Sequence, residues 1–169
     1  MLISPELVLI FGSPKYHEAV YVIPPVAASV FFIFIYNILS MPQFYYEKTQ
    51  FLMAASMAAA GANVVLNFIF IHLFGYIAAG YTTLACYMLY SVGHYIVSKR
   101  ILVNEGIQEN LMNPGFLLAC SVFLIGASII CNLIFPYRIL RYAILLASAG
   151  LVFWKKELLL KTMADIRKK

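Results

Sequence analysis

Runs of about twenty apolar residues follow one another along this chain, and they constrain its fold more than any other feature. The hydrocarbon core of a bilayer is about 30 Å thick and an α-helix rises about 1.5 Å per residue, so one crossing needs roughly 20 residues. The sequence therefore predicts an all-α integral membrane fold with five transmembrane helices. We label the five segments A to E, and they cover about 18–40, about 49–74, about 76–98, about 115–135 and about 137–154.

The composition excludes a soluble globular domain. Hydrophobic residues make up 63% of the 169 residues, charged residues make up 11%, and the mean hydropathy is +0.88. A soluble domain has roughly 45–50% apolar and about 25% charged residues. So little polar surface fits a chain whose helices face lipid.

The basic residues indicate an orientation in the membrane. Six of the twelve lie in the tail, residues 155–169, and Lys48, Lys99 and Arg100 bring the predicted inner side to nine, against three on the outer side. This asymmetry follows the positive-inside rule. We therefore expect a multi-pass protein of the cell inner (cytoplasmic) membrane, with a cytoplasmic C-terminus whose basic tail lies against anionic lipid headgroups. The same placement argues against nucleic acid as a partner.

Segment B combines small residues with two amides. Ala54, Ala58 and Ala62 recur at every fourth residue, and small residues mark helix faces that another helix approaches closely in lipid. We therefore expect B to be a packed, central helix. Asn63 and Asn67 follow at i and i+4 and share one face. They either hold the bundle together by interhelical hydrogen bonds or face a polar cavity and contact a substrate.

Two prolines, Pro24 and Pro25, lie inside segment A. A proline lacks an N–H and clashes with the preceding turn, so the carbonyls of Val20 and Tyr21 lose their usual helical partners. The result is either a static kink or a hinge of the kind that transporters use in alternating access.

A polar and aromatic face runs along segment C. Tyr87, Tyr90 and His94 lie at i, i+3 and i+7, which places them on one side of a helix. Hydroxyl and imidazole groups beside aromatic rings suit a sugar or a phosphate. The same residues also suit the aromatic belt at the inner membrane interface.

Signatures of catalysis are absent from the sequence. It has no H-E-x-x-H motif, no G-x-S-x-G motif and no phosphate-binding glycine loop. Cys86, Cys120 and Cys131 lie inside predicted helices at spacings that fit no metal or redox motif, so we expect them to pack as small apolar residues. The sequence therefore predicts no enzyme, no cofactor and no metal site.

Three stretches resemble the C-terminal half of Wzx-type polysaccharide flippases, in the multidrug/oligosaccharidyl-lipid/polysaccharide exporter superfamily. "FGSPKYHEAVYVIPPVAAS" resembles the start of a helix in that family, and "YEKTQ" resembles an inner loop at Lys48 and Thr49. "NVVLNFIFIHLFGYIAAGYTT" is similar to a family signature, although Ala78 and Gly80 exchange the usual Gly and Ala. The positions that match this signature are Asn63, Leu66, Asn67, Ile71, Phe74, Gly75, Ile77, Ala79 and Thr83.

The resemblance implies a fold of two six-helix lobes around a central cavity, of which this chain is a fragment. Residues 1–16 would be the end of a preceding span and an outer loop, and 17–98 three helices of the C-terminal lobe. Residues 99–114 would be a cytoplasmic loop, 115–154 an extra helical hairpin and 155–169 the basic tail. The N-terminal lobe would then be missing and would act as a partner.

The resemblance also implies a function. Flippases of this family move undecaprenyl-pyrophosphate-linked oligosaccharide across the cytoplasmic membrane by alternating access. The candidate substrate contacts are Asn63, Asn67, Tyr90 and His94, and the candidate hinge is Pro24 with Pro25. The alternative is a self-contained small membrane scaffold or assembly protein without transport activity. A membrane-embedded transferase is disfavoured because acids and histidines are not clustered.

Overall fold

The computed structural model describes residues 1–107 and 112–154. The predicted basic tail and residues 108–111 of the predicted cytoplasmic loop lie outside the described residues. Within them the chain is all-helical and contains no strand, which confirms the all-α part of the predicted fold. The elements are α1 (Ser4–Phe11), a 3₁₀ helix (Pro14–Val22), α2 (Ile23–Tyr45), α3 (Gln50–Phe74), α4 (Ala78–Asn104), α5 (Pro114–Ile134) and α6 (Arg138–Trp154).

Three helical stretches of the described chain are long and apolar enough to cross a membrane. They are Pro14–Tyr45, which joins the 3₁₀ helix to α2, then α3 and α5. They correspond to the predicted segments A, B and D. The helices that correspond to C and E are α4, with 27 residues, and α6, with 17.

The described residues fall into two units, one with residues 1, 3–107 and 112–132, the other with residues 2 and 133–154. In the first unit, α2 and α4 form the closest pair. Ala28 and Phe32 of α2 form a buried cluster with Leu84 of α4. Ser91 Oγ of α4 lies 3.0 Å from the carbonyl oxygen of Phe32, so a polar contact reinforces the apolar one. In the second unit the described helix is α6.

The prediction that segment B, which corresponds to α3, is a packed, central helix is wrong. No residue of α3 is buried, and Ala54, Ala58 and Ala62 are all exposed. A line of half-buried residues does run along α3 at the same four-residue spacing, but it is shifted by one residue from these three alanines. Its members are Phe51, Ala55, Ala59, Asn63 and Asn67. Small residues do let α3 approach a neighbour, as expected, but the neighbour is α4 and the alanines are different ones.

The C-terminal ends of two helices extend beyond the predicted segments. Helix α2 continues through Pro42 to Tyr45, where the sequence predicts a loop from residue 41. Helix α4 continues to Asn104, and Gly106 follows two residues later with a φ of +79°, a conformation that glycine adopts without strain. Both extensions keep residues 41–45 and 99–104 helical.

Candidate functional site

The two asparagines of α3 form a hydrogen-bonded link to α4. Asn67 Nδ2 donates to Asn63 Oδ1 at 2.9 Å, so the prediction that the pair shares one face is confirmed. The hydroxyl of Thr82, at the start of α4, makes a short hydrogen bond to Asn67 Oδ1. Asn67 therefore takes the interhelical bonding role, and its oxygen and one of its N–H groups are both used.

Asn63 also lines a cavity between α2, α3 and α4, which we call the α2–α3–α4 cavity. Its volume is about 450 Å³, within the range of roughly 300–1,000 Å³ that small-molecule sites occupy. Tyr90 lines the same cavity, whereas Asn67 and His94 do not. The complete lining is Tyr36, Ser56, Ala59, Ala60, Asn63, Val64, Thr83, Cys86, Tyr87 and Tyr90.

Three tyrosines form the aromatic part of the lining. The rings of Tyr36 and Tyr87 are almost parallel, with centroids 6.3 Å apart and an interplanar angle of 5°. Tyr90 meets Tyr36 edge to face at 4.7 Å, a favoured geometry for aromatic pairs. Its hydroxyl oxygen lies 2.6 Å from Ser56 Oγ of α3, so Tyr90 also ties α3 to α4.

His94 is completely buried, with 0% of its surface exposed, and so is Gln43 of α2. Gln43 Nε2 donates to His94 Nδ1 at 2.9 Å and to Ser98 Oγ at 2.9 Å. Tyr90 and Phe51 contact the ring edge to face at 4.4 Å and 5.6 Å. His94 thus links α2, α3 and α4, and it lies outside the cavity lining, next to Tyr90. Its contact with a substrate stays a prediction.

The two prolines lie in the first turn of α2, at its junction with the 3₁₀ helix, and not in the middle of a helix. Proline is well tolerated there, because the first N–H groups of a helix have no intrahelical acceptor. The Val20 carbonyl accepts the N–H of Ile23. The carbonyls of Val20 and Tyr21 therefore lack their usual helical partners, as predicted, and Val20 accepts a bond from three residues along instead. Hinge motion at Pro24 and Pro25 stays a prediction.

Asn132 of α5 supplies the partner of the Tyr21 carbonyl. Its Nδ2 donates to Tyr21 O at 3.3 Å and also lies 2.7 Å from Tyr81 Oη of α4. The point where the 3₁₀ helix meets α2, at Pro24 and Pro25, is called the proline junction below. One side chain of α5 therefore holds both this junction and the start of α4. Close packing continues beside it, since a Cβ on Gly80 would lie 2.9 Å from Pro25 Cγ.

No family model, curated protein or solved structure matches this chain. Membership of the flippase family therefore stays a prediction from the motifs, and so does the transport function. The described residues form an all-helical chain with membrane-length helices and a cavity of mixed polar and aromatic lining.

In the part of the chain that the structure describes, the lining of the α2–α3–α4 cavity carries no carboxylate, amine, guanidinium or imidazole. Across residues 1–107 and 112–154, no cluster of histidine, cysteine or acidic side chains has the arrangement of a metal site. The groups that meet in the cavity are hydroxyls, one amide and phenol rings. Chemically, this set can donate and accept hydrogen bonds and pack against ring faces without neutralising a charge.

Three residues of this region were missed by the sequence reasoning: Tyr36, Gln43 and Asn132. Tyr36 and Asn132 carried a usable signal, because each is a polar group inside an otherwise apolar run. Gln43 carried a weaker signal, because it follows a proline in a stretch for which the sequence predicts a loop. The partners of Gln43 and Asn132 lie 51 and 111 residues away, and no local pattern connects them.

Proposed function

We propose that this chain is part of a polysaccharide-biosynthesis transporter that flips lipid-linked oligosaccharide across the cytoplasmic membrane by alternating access. The observation that carries the proposal is the α2–α3–α4 cavity, in which Asn63 and Tyr90 present polar groups between membrane-length helices. Polar groups at such positions are costly in hydrocarbon, and they characteristically mark substrate pathways. The motif resemblance points to the same class of protein.

In the proposed topology all five segments cross the membrane and the C-terminus is cytoplasmic. Helix α4 spans about 40 Å, which is long enough to cross. Its polar residues Ser91, His94 and Ser98 are buried against other parts of the chain and so avoid lipid. Labelling of a C-terminal tag from outside intact cells would contradict this orientation.

The parts of the substrate would be divided between lipid and protein. The undecaprenyl tail stays in the bilayer while the oligosaccharide occupies the cavity. No lysine or arginine within 1–107 and 112–154 lines the cavity, so we propose that the pyrophosphate takes its cations from the N-terminal lobe, the partner that the resemblance implies. The proline junction is the proposed hinge, because its carbonyls depend on Ile23 and Asn132 in place of a regular helical ladder. This proposal assigns transport and not catalysis to the chain.

The test removes the reading frame that encodes this chain and measures two quantities. Surface polysaccharide should fall, and lipid-linked oligosaccharide should accumulate in the cytoplasmic leaflet. The wild-type gene and Asn37→Leu should restore export, because Asn37 is exposed on α2 and bonds only within its own helix. Asn63→Leu with Asn67→Leu should insert into the membrane and fail to restore it. Unchanged export after the deletion would refute the proposal.

A second candidate is a self-contained membrane scaffold that assembles partners without transport. The observation in its favour is the exposed line of Ala54, Ala58 and Ala62 on α3, a surface suited to close helix packing. Replacing Ala58 with Leu should then disrupt a cross-linkable complex and leave export intact. The transporter proposal expects the asparagine variants to have the larger effect on export.

A further inference from the structure

We propose that the α2–α3–α4 cavity binds an uncharged sugar ring of the oligosaccharide and excludes its pyrophosphate. This inference rests on the proposed function for the statement that the ring belongs to a lipid-linked glycan. It adds the substrate class of this particular cavity and the side chains that select it. The selecting residues are Asn63, Thr83, Tyr36 and Tyr87, all of them lining residues.

The hydrogen-bonding groups of the cavity have free capacity of the kind that a sugar uses. Asn63 Oδ1 is turned toward Asn67, which places the Asn63 amide nitrogen on the other side of the carboxamide. Within the part of the chain that the structure describes, neither this nitrogen nor the Thr83 hydroxyl has a hydrogen-bond partner. Sugar hydroxyls both donate and accept, so they can satisfy an N–H donor and a hydroxyl together.

The position of Asn63 is fixed by a second layer of contacts. The Thr82 hydroxyl holds Asn67, and Asn67 in turn holds Asn63, so the amide that faces the cavity has a defined orientation. A pre-oriented donor loses less entropy on binding than a free one. Asn67 therefore has a structural role, and Asn63, which it positions, is the member of the pair that contacts the sugar.

The aromatic lining supplies a complementary apolar surface. Tyr36 and Tyr87 present two nearly parallel rings, and Tyr90 is held in place by Ser56. A pyranose has an apolar face of C–H groups that packs against aromatic rings while its hydroxyls point to the rim. Amides, hydroxyls and aromatic rings in one cavity therefore match a sugar better than a fully apolar or fully charged ligand.

The described residues of the lining carry no charge, so they offer nothing that neutralises a pyrophosphate. Moving an anion out of water without a paired cation or a dense set of donors costs several kcal/mol. Neither a cation nor a helix N-terminus belongs to the lining, whose α4 members begin one turn inside that helix at Thr83. The nearest basic residues in sequence to these lining residues, Lys48 and Lys99, lie outside it.

The test measures binding to the full chain in lipid nanodiscs by saturation-transfer difference NMR. The probes are methyl β-glucoside, N-acetylglucosamine and inorganic pyrophosphate. We expect saturation transfer to the neutral sugars for the wild type and for Asn37→Leu, which makes the same chemical change outside the cavity. Pyrophosphate should not displace the sugars.

Two variants test the assignment of the binding groups. Asn63→Leu and Thr83→Val should each weaken sugar binding by about threefold to tenfold, the effect of one lost hydrogen bond. Thr83→Val keeps the test decisive if Asn63→Leu disturbs folding, because Thr83 has no protein hydrogen bond to lose in the described structure. Equal binding by wild type and Thr83→Val, or displacement by pyrophosphate, would overturn the inference.

Failure of this inference and failure of the proposed function give different results. Export that depends on Asn63, together with no sugar binding, would remove the sugar site and leave the transporter. Sugar binding in nanodiscs, together with normal export after deletion of the gene, would leave the site and remove the transporter. If saturation transfer to the sugars is the same in nanodiscs without the protein, the sugars partition into lipid, and the proposed sugar site is refuted.

Discussion

Replacing Gly80 with alanine tests whether the start of α4 is pressed against the proline junction. A Cβ at this position would lie 2.9 Å from Pro25 Cγ, 3.0 Å from the carbonyl oxygen of Val22 and 3.1 Å from Val22 Cγ1. Two of these neighbours, a proline ring and a backbone carbonyl, cannot rotate away as a flexible side chain would. The methyl group can therefore be accommodated only if the start of α4 moves away from the junction.

The magnitude follows from two opposing contributions. Overpacking a tight contact costs typically about 1–3 kcal/mol. Alanine in a helix interior is in turn more favourable than glycine by about 1 kcal/mol. Gly80→Ala should therefore change the free energy of unfolding by roughly zero to 2 kcal/mol in the destabilising direction. The overpacking contribution can be isolated only with a control that shares the gain in helix propensity.

Gly126 of α5 and Gly61 of α3 provide that control. Both lie within helices, and a Cβ on either would meet nothing within 4 Å. Gly126→Ala and Gly61→Ala should therefore be neutral or stabilising by up to about 1 kcal/mol. Equilibrium unfolding by SDS in mixed micelles measures all three variants. Gly80→Ala should be less stable than the two controls by about 1–3 kcal/mol, and three equal values would refute the close approach of α4 to the junction.

Three further predictions concern the polar links and the turn between α3 and α4, and the same unfolding measurement checks each of them. Asn132→Leu should destabilise the chain by about 1–2 kcal/mol because it removes two hydrogen bonds, whereas Asn37→Leu, an exposed control, should cost little; equal values would contradict the Asn132 link. A double-mutant cycle of Gln43→Leu and His94→Leu should give a coupling energy of about 0.6–1.7 kcal/mol, and additive values would mean that the two side chains do not interact. Gly75→Ala should cost roughly 1–3 kcal/mol, since its φ of +77° with ψ of 179° belongs to a region that is essentially restricted to glycine; an unchanged stability would contradict that turn.

The positions of the helices could be predicted from the sequence because apolar run length sets them. Segment B, about 49–74, corresponds to α3 at Gln50–Phe74, and segment D, about 115–135, to α5 at Pro114–Ile134. The face that α3 turns to its neighbour could not be predicted in this way. Its two alanine lines, one beginning at Ala54 and one at Ala55, are equally small, and only the continuation of the second line into Asn63 and Asn67 distinguishes them. In lipid both sides of a helix are apolar, so periodicity alone does not separate them.

The residues of the candidate site also fall into two groups, those whose placement the sequence predicts and those whose placement depends on tertiary contacts. The shared face of Asn63 and Asn67 follows from their four-residue spacing, and the structure confirms it. Which of the two reaches the cavity depends on Thr82, which holds the second amide and leaves the first one facing inward. Gln43 and Asn132 depend on partners in distant helices, so their roles arise only from the tertiary arrangement.

Helix α4 shows why polar side chains in such a sequence mark the interior. Its buried positions include Thr82, Ser91, His94 and Ser98, while an apolar line of exposed residues runs along the opposite side. This order is the reverse of the one found in a water-soluble helix, and it is the order expected where lipid is the solvent, because an unsatisfied polar group in hydrocarbon is costly. The polar side chains at these four buried positions therefore identify the packed face of α4. The exposed line is Ala85, Leu89, Val92 and Ile96.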